Sequence, residues 1–271
     1  MNHILPEFGH IPASDINSDK MYSFIEKKRN EGLSNRYIGD IIVLMKSVFK
    51  YAVKTYCIYN PLEGVSLPRK KTSDIRLLDK KEQLCLEEYV SKIHNSTTLG
   101  ITLAMTTGIR IGELCALQWK DIDLEKRILT VSKTVQRIQL HEADRKTKLI
   151  ITEPKSESSK RIIPIPEAVV AFLKEMREND EDFVVSGTSR VIEPRTMQYR
   201  FAKILKNVNL PSVHFHALRH MFASNCIRLG FDIKALSEIL GHSSVEITLN
   251  RYVHSSFEQK TEYMNRITIC V

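Results

Sequence analysis

The run Ile128-Leu129-Thr130-Val131-Ser132-Lys133-Thr134-Val135-Gln136-Arg137-Ile138 decides the fold class, because there the periodicity of an otherwise helical chain changes to that of strands. Its β-branched residues Ile128, Thr130, Val131, Val135 and Ile138 favour extended backbone, and the apolar runs Leu149 to Ile151 and Ile162 to Ile165 repeat the signal. Between those runs lies the polar stretch Glu153-Pro154-Lys155-Ser156-Glu157-Ser158-Ser159-Lys160, which puts Lys155 at a strand end or hairpin turn. On both sides the texture is helical: from Leu78 to Trp119, interrupted at Thr106-Thr107-Gly108, and again from Glu167 onward, with turns near Gly187 and Pro211. The expectation is a mainly α fold with a small antiparallel β-sheet.

Farther upstream, Met21, Phe24 and Ile25 recur at helical spacing, Gly32 supplies a stop, and Ser34 opens a second helix with Ile38, Ile41, Ile42, Met45, Phe49 and Val53 as its buried stripe. The polar side of that helix carries Arg36, Lys46, Lys50 and Lys54, a pattern usable against phosphates, although a solvated face is its commoner origin. Asn60-Pro61 closes the unit. The stretch from Val65 onward contains Pro68 and the basic cluster Arg69, Lys70 and Lys71 without helical periodicity, which reads as a linker. Three parts are therefore expected: a helical domain over 1–64, a linker over 65–78 and a larger α+β domain over 79–271.

The length of 271 residues suits two domains. Forty Lys and Arg against 32 Asp and Glu give a net charge of +8, which fits a polyanionic partner. Five cysteines, odd in number, widely spaced and without a C-x-x-C pair, argue against a disulfide framework and a zinc ribbon, so a reducing cytoplasm is the expected home. No apolar run approaches the ~18 residues of a membrane span.

Six residues carry the chemistry: Arg110, Lys155, His216, Arg219, His242 and Tyr252. A tyrosine hydroxyl has an ordinary pKa of ~10, so ionising it near neutrality costs roughly 4 kcal/mol and a reactive tyrosine needs cations or a base beside it. In His216-Ala217-Leu218-Arg219-His220 a histidine and an arginine stand three apart on one helix face, within reach of a common phosphate. A guanidinium offers a planar fork of donors matched to phosphate oxygens. Arg110, in Thr107-Gly108-Ile109-Arg110-Ile111-Gly112-Glu113-Leu114, is a second such group, with Glu113 placed to orient a side chain through an ion pair. Gly241 C-caps a helix from about Asp232, which leaves His242 just beyond it, and Ser243 with Glu246 has capping-box spacing for a short helix that places the Tyr252 phenol about two turns in. Taken singly, each arginine also suits a structural salt bridge, and Tyr252 a packing role. His216 and His220, with His214 nearby, are spaced for zinc, but Ala217 stands where a metalloprotease needs Glu, so no metal or other cofactor is expected.

Together, in order and separation, the Thr107–Leu114 box, the His216–His220 box, Leu240-Gly241-His242 and Tyr252 resemble the tyrosine recombinase (phage integrase) family, particularly the integrases of phages and conjugative transposons. The resemblance implies a metal-independent DNA strand transferase in which Tyr252 attacks a scissile phosphodiester and leaves a 3′-phosphotyrosyl bond. It implies that Arg110 and Arg219 hold the non-bridging oxygens, Lys155 protonates the 5′ leaving oxygen, His216 accepts the tyrosine proton and His242 donates a hydrogen bond to the phosphate. It further implies that the N-terminal helices bind double-stranded DNA at core sites and close with the catalytic domain as a clamp. A homotetramer assembled on DNA through the tail Val253–Val271 and an accessory directionality factor are the other expected partners, with no membrane. Such relatives usually open with an arm-site-binding domain and a fuller bundle. This chain starts close to what resembles the second half of that bundle, so a truncated form or fragment is expected. A type IB-like topoisomerase and a catalytically silent DNA-binding protein of the same fold are the competing readings.

Overall fold

The computed structural model describes residues 2–57, 59–68, 76–140, 147–154, 159–252, 261, 264 and 265, with the side chains of 250–252 outside the description. Two compact units divide the chain, Met1–Asp74 and Ile75–Val271.

In the first unit a short helix α1 (Leu5–Phe8) precedes α2 (Ser18–Asn30) and α3 (Asn35–Tyr56). The starts of α2 and α3 follow the local chemistry: the Asn17 side chain accepts from the Lys20 N–H, and the Ser34 hydroxyl accepts from the Tyr37 N–H. Gly32 takes a φ of 86° between them, a conformation that favours glycine. Met21, Phe24 and Ile25 pack against Ile38, Ile41, Ile42, Met45 and Phe49, while Val53 is only half-buried. Leu62 and Val65 belong to this same core. The unit therefore continues past Asn60-Pro61 into the expected linker, because an apolar residue at 65 gains more from burial than from exposure. At the linker's other end, Leu78 packs into the core of the second unit. Arg69, Lys70 and Lys71 lie outside the described residues.

The second unit is organised around α5 (Ser96–Thr107), whose neighbours include α4 (Lys80–Lys92), α6 (Ile111–Ala116), α7 (Glu167–Met176), α8 (Pro194–Asn207) and α9 (His216–Arg228). Leu99, Ile101, Leu103 and Ala104 are fully buried, as an interior helix requires. An Asn95/Thr98 capping box starts α5, and Gly108 at φ 65° ends it. The described C-terminal elements are α10 (Ile233–Leu240) and α11 (Val245–Tyr252).

Among the described residues the strands form two small antiparallel sheets where one was expected. β2 (Ile128–Val131) pairs on one edge with β1 (Ile122–Asp123) and on the other with β5 (Arg161–Pro164), in a register that sets buried Leu129 opposite buried Ile163. With both edges of β2 filled, β3 (Thr134–Gln139) pairs, among the described residues, with β4 (Thr147–Thr152) alone. No helix among the described residues is long and apolar enough to cross a membrane.

Candidate active site

Four segments distant in sequence meet at a cavity of about 260 Å³ lined by Arg110, Ser159, His216, Arg219, Gly241, His242, Ser243 and Ile247. Four of the six expected catalytic residues, Arg110, His216, Arg219 and His242, share this cavity. Lys155 lies outside the described residues. Tyr252 is the last residue of α11, one turn beyond Thr248, and its side chain is likewise outside the description.

Local sequence explains how each group is delivered. Gly108 turns the chain sharply after α5, so Arg110 becomes the N-cap of α6, with its side chain 34% exposed toward the cavity. Gly112 lets α6 lie against β3: a Cβ there would stand 2.6 Å from Thr134 Oγ1 and 2.9 Å from the Val135 carbonyl oxygen. His216 opens α9, and its ring meets that of His220 edge-on with centroids 4.8 Å apart. His214 faces elsewhere, its Nδ1 3.1 Å from Gln198 Nε2. Gly241, in the left-handed conformation, ends α10 and sends His242 into the cavity. There His242 Nδ1 lies 2.7 Å from the hydroxyl of fully buried Thr248. The hydroxyl that starts α11 is that of Ser244, which accepts from the Glu246 N–H. The expected Ser243 instead lines the cavity.

The cations are arranged around the C-terminal end of α10, where successive carbonyls each accept from a different arginine. Arg161 Nε donates to Ile239 O (2.6 Å), Arg219 Nη2 to Leu240 O (2.6 Å) and Arg110 Nη2 to Gly241 O (2.7 Å). The partial negative charge of a helix C-terminus favours this clustering of positive groups. Arg219, only 2% exposed, also donates to Gly108 O at 2.8 Å, which joins α9 to the turn that carries Arg110.

Glu113 orients Arg110, as its spacing predicts, with Arg110 Nη1 donating to its Oε1 at 2.8 Å. The carboxylate is buried and shared with Arg161, whose Nη2 donates to Oε2 at 2.8 Å. Burial opposes ionisation of Glu113, but the hydrogen bonds and charge of Arg161, joined by those of Arg110, outweigh it and hold the carboxyl below its ordinary range. Sequence reading missed Arg161. Its one local signal is a charge at the head of the apolar strand run Ile162 to Ile165.

Of the residues expected to bind DNA in the first unit, Arg36, Lys50 and Lys54 are exposed on α3. Lys46 is half-buried and donates to the Val65 carbonyl, so it ties the 61–65 turn to α3. Lys160, a neighbour of Lys155 in sequence, pairs with Glu153 at 2.8 Å. Cys57, Cys85, Cys115 and Cys226 are free thiols, and burial pushes Cys115 up to about 12 and Cys226 up to about 11.

The family model described as the phage integrase family matches residues 76–259. The chain is 31% identical to a tyrosine recombinase XerC-like protein of Caldanaerobacter subterraneus subsp. tengcongensis, a match covering 92% of this chain and 70% of that one. It is 26% identical to the transposase from transposon Tn916 of Enterococcus faecalis, over 82% of this chain and 59% of the transposase. Among solved structures, the Tn1549 transposon integrase in complex with circular intermediate DNA is similar at a TM-score of 0.73 and 25% identity, covering 94% of this chain and 86% of that one.

Proposed function

This chain belongs to the phage integrase family, the tyrosine recombinases, and from that premise we propose that it cleaves and rejoins DNA strands at specific sites to integrate or excise a mobile element. Tyr252 Oη forms a bond to the scissile phosphorus as the bond to the 5′ oxygen breaks. His216 takes the phenolic proton, and Lys155 gives one to the leaving oxygen. The product is a 3′-phosphotyrosyl linkage and a free 5′-hydroxyl. Rejoining is the reverse attack by a 5′-hydroxyl, and the covalent link conserves the phosphodiester energy, so no nucleotide cofactor is needed. Arg110 and Arg219 face the charge that develops on the non-bridging oxygens, and His242 adds a hydrogen bond.

One observation carries this reading: Arg110, His216, Arg219 and His242, which lie up to 132 residues apart in sequence, line one cavity, and the helix that ends at Tyr252 contributes Ile247 to the same wall. Exposed Arg36, Lys50 and Lys54 on α3, with Arg69, Lys70 and Lys71, would engage the duplex backbone. The tail after Val253 would join protomers into a homotetramer on DNA, with an accessory protein setting direction, and the site of action would be the bacterial cytoplasm.

A nicked suicide duplex, from which the cleaved 5′ fragment diffuses away, tests the reaction. Wild type is expected to accumulate a covalent adduct, whereas Tyr252→Phe binds the duplex and forms none. An adduct that survives that substitution would overturn the assignment of the nucleophile.

A further inference from the structure

Arg161 has no assigned role, yet beside the cavity it is almost wholly engaged. Its side chain is 6% exposed, and its guanidinium reaches four acceptors: Ile239 O at 2.6 Å, Ser159 O at 3.0 Å, Glu113 Oε1 at 3.2 Å and Glu113 Oε2 at 2.8 Å. We propose that Arg161 is a positioning residue for strand cleavage, holding Glu113 so that Arg110 stays turned toward the scissile phosphate with its charge uncancelled. This rests on the recombinase reading above.

Two features of the geometry carry the inference. The first is charge. Arg110 and Glu113 alone would form a neutral pair, and a neutral pair attracts a phosphate weakly. With Arg161 on the same carboxylate, two positive charges share one negative, and the cluster keeps a net positive charge beside the cavity. The second is occupancy. Glu113 Oε1 accepts from Arg110 Nη1, and Oε2 accepts from the Arg110 backbone N–H at 3.1 Å, while the fork of Arg161 covers both oxygens. Remove Arg161, and both oxygens are open to the Arg110 fork, which can close on them bidentately and withdraw its donors from Gly241 O and the cavity. Arg161 also binds the Ser159 carbonyl, so the segment leading into β5, which lines the same cavity, is fixed by the same group.

Lysine cannot replace this arrangement. An ammonium has three donors against four acceptors and lacks the planar fork. A displacement of Arg110 by about 1 Å is expected to slow the reaction on the order of a hundredfold.

The test compares wild type, Arg161→Lys and Arg161→Met in the full chain, using suicide duplexes with either an ordinary phosphate or a methylphosphonate at the scissile position. The methylphosphonate lacks the negative charge that Arg110 answers. Both variants are expected to retain duplex affinity and a folded melting transition, to cleave the phosphate about a hundredfold more slowly with DNA saturating, and to lose most of that deficit on the methylphosphonate. Cleavage at the wild-type rate overturns the proposal. So does a deficit equal on the two substrates, or one that merely tracks the fraction of protein folded. Absence of any adduct with wild type on the ordinary phosphate would instead count against the recombinase reading itself.

Discussion

Replacing Glu113 by Gln removes one negative charge from between two guanidinium groups while keeping the side chain's shape. The carboxylate takes four hydrogen bonds: from Arg110 Nη1 (2.8 Å) and Arg161 Nη1 (3.2 Å) on Oε1, and from Arg161 Nη2 (2.8 Å) and the Arg110 N–H (3.1 Å) on Oε2. An amide keeps one acceptor oxygen and turns the other position into a donor facing donors, so two of the four are lost. Breaking a buried pair from one side costs about 3–5 kcal/mol. For a unit of this size each kcal/mol lowers the melting temperature by about 2–4 °C, so a drop of roughly 6–20 °C is expected in a calorimetric scan at pH 7. The effect depends on pH in a fixed direction. Because the folded Glu113 ionises below its ordinary value of 4.5, its contribution is complete above that value and is lost as pH falls through the lower folded value. The gap between wild type and Glu113→Gln therefore narrows in acid. A shift under about 2 °C at pH 7, or a gap that widens below pH 4.5, would refute the reasoning.

Thr248→Val removes the hydroxyl 2.7 Å from His242 Nδ1 and keeps the volume; stability is expected to fall by only about 1 kcal/mol, while single-turnover cleavage slows through loss of the ring's orientation. Gly108→Ala places a Cβ 2.5 Å from Phe222 Cδ1 at a φ of 65°, and should destabilise by about 2–5 kcal/mol in denaturant titration, from overpacking and left-handed strain together. Duplex affinity measured by anisotropy should fall steeply, on the order of a thousandfold, between 50 and 200 mM salt, as counterion release requires. Cleavage in EDTA should match cleavage without it.

Features that depend on near neighbours in sequence were legible before any coordinates. Ser34, Asp232 and Gly241 act within one helical turn of themselves, and each sits at the helix end that its chemistry dictates. The boxes around Arg110, His216, Arg219 and His242 were legible through their family resemblance, and all four residues line one cavity. What depends on distant pairing was not. Arg161 meets Glu113 across 48 positions only because β5 pairs with β2, and the strands separate into two sheets only because β1 fills the other edge of β2. Lys46 reads as a surface cation until the Val65 carbonyl folds back onto it. The carbonyls at the end of α10 that gather three arginines have no side-chain signature at all.

The most direct measurement traps wild-type protein on a suicide duplex, digests the complex, and locates the attached nucleotide by mass spectrometry. The expected product is a peptide containing Tyr252 joined through its phenolic oxygen to a 3′-phosphate. Attachment at any other residue, or to the 5′ end of the broken strand, would contradict the account.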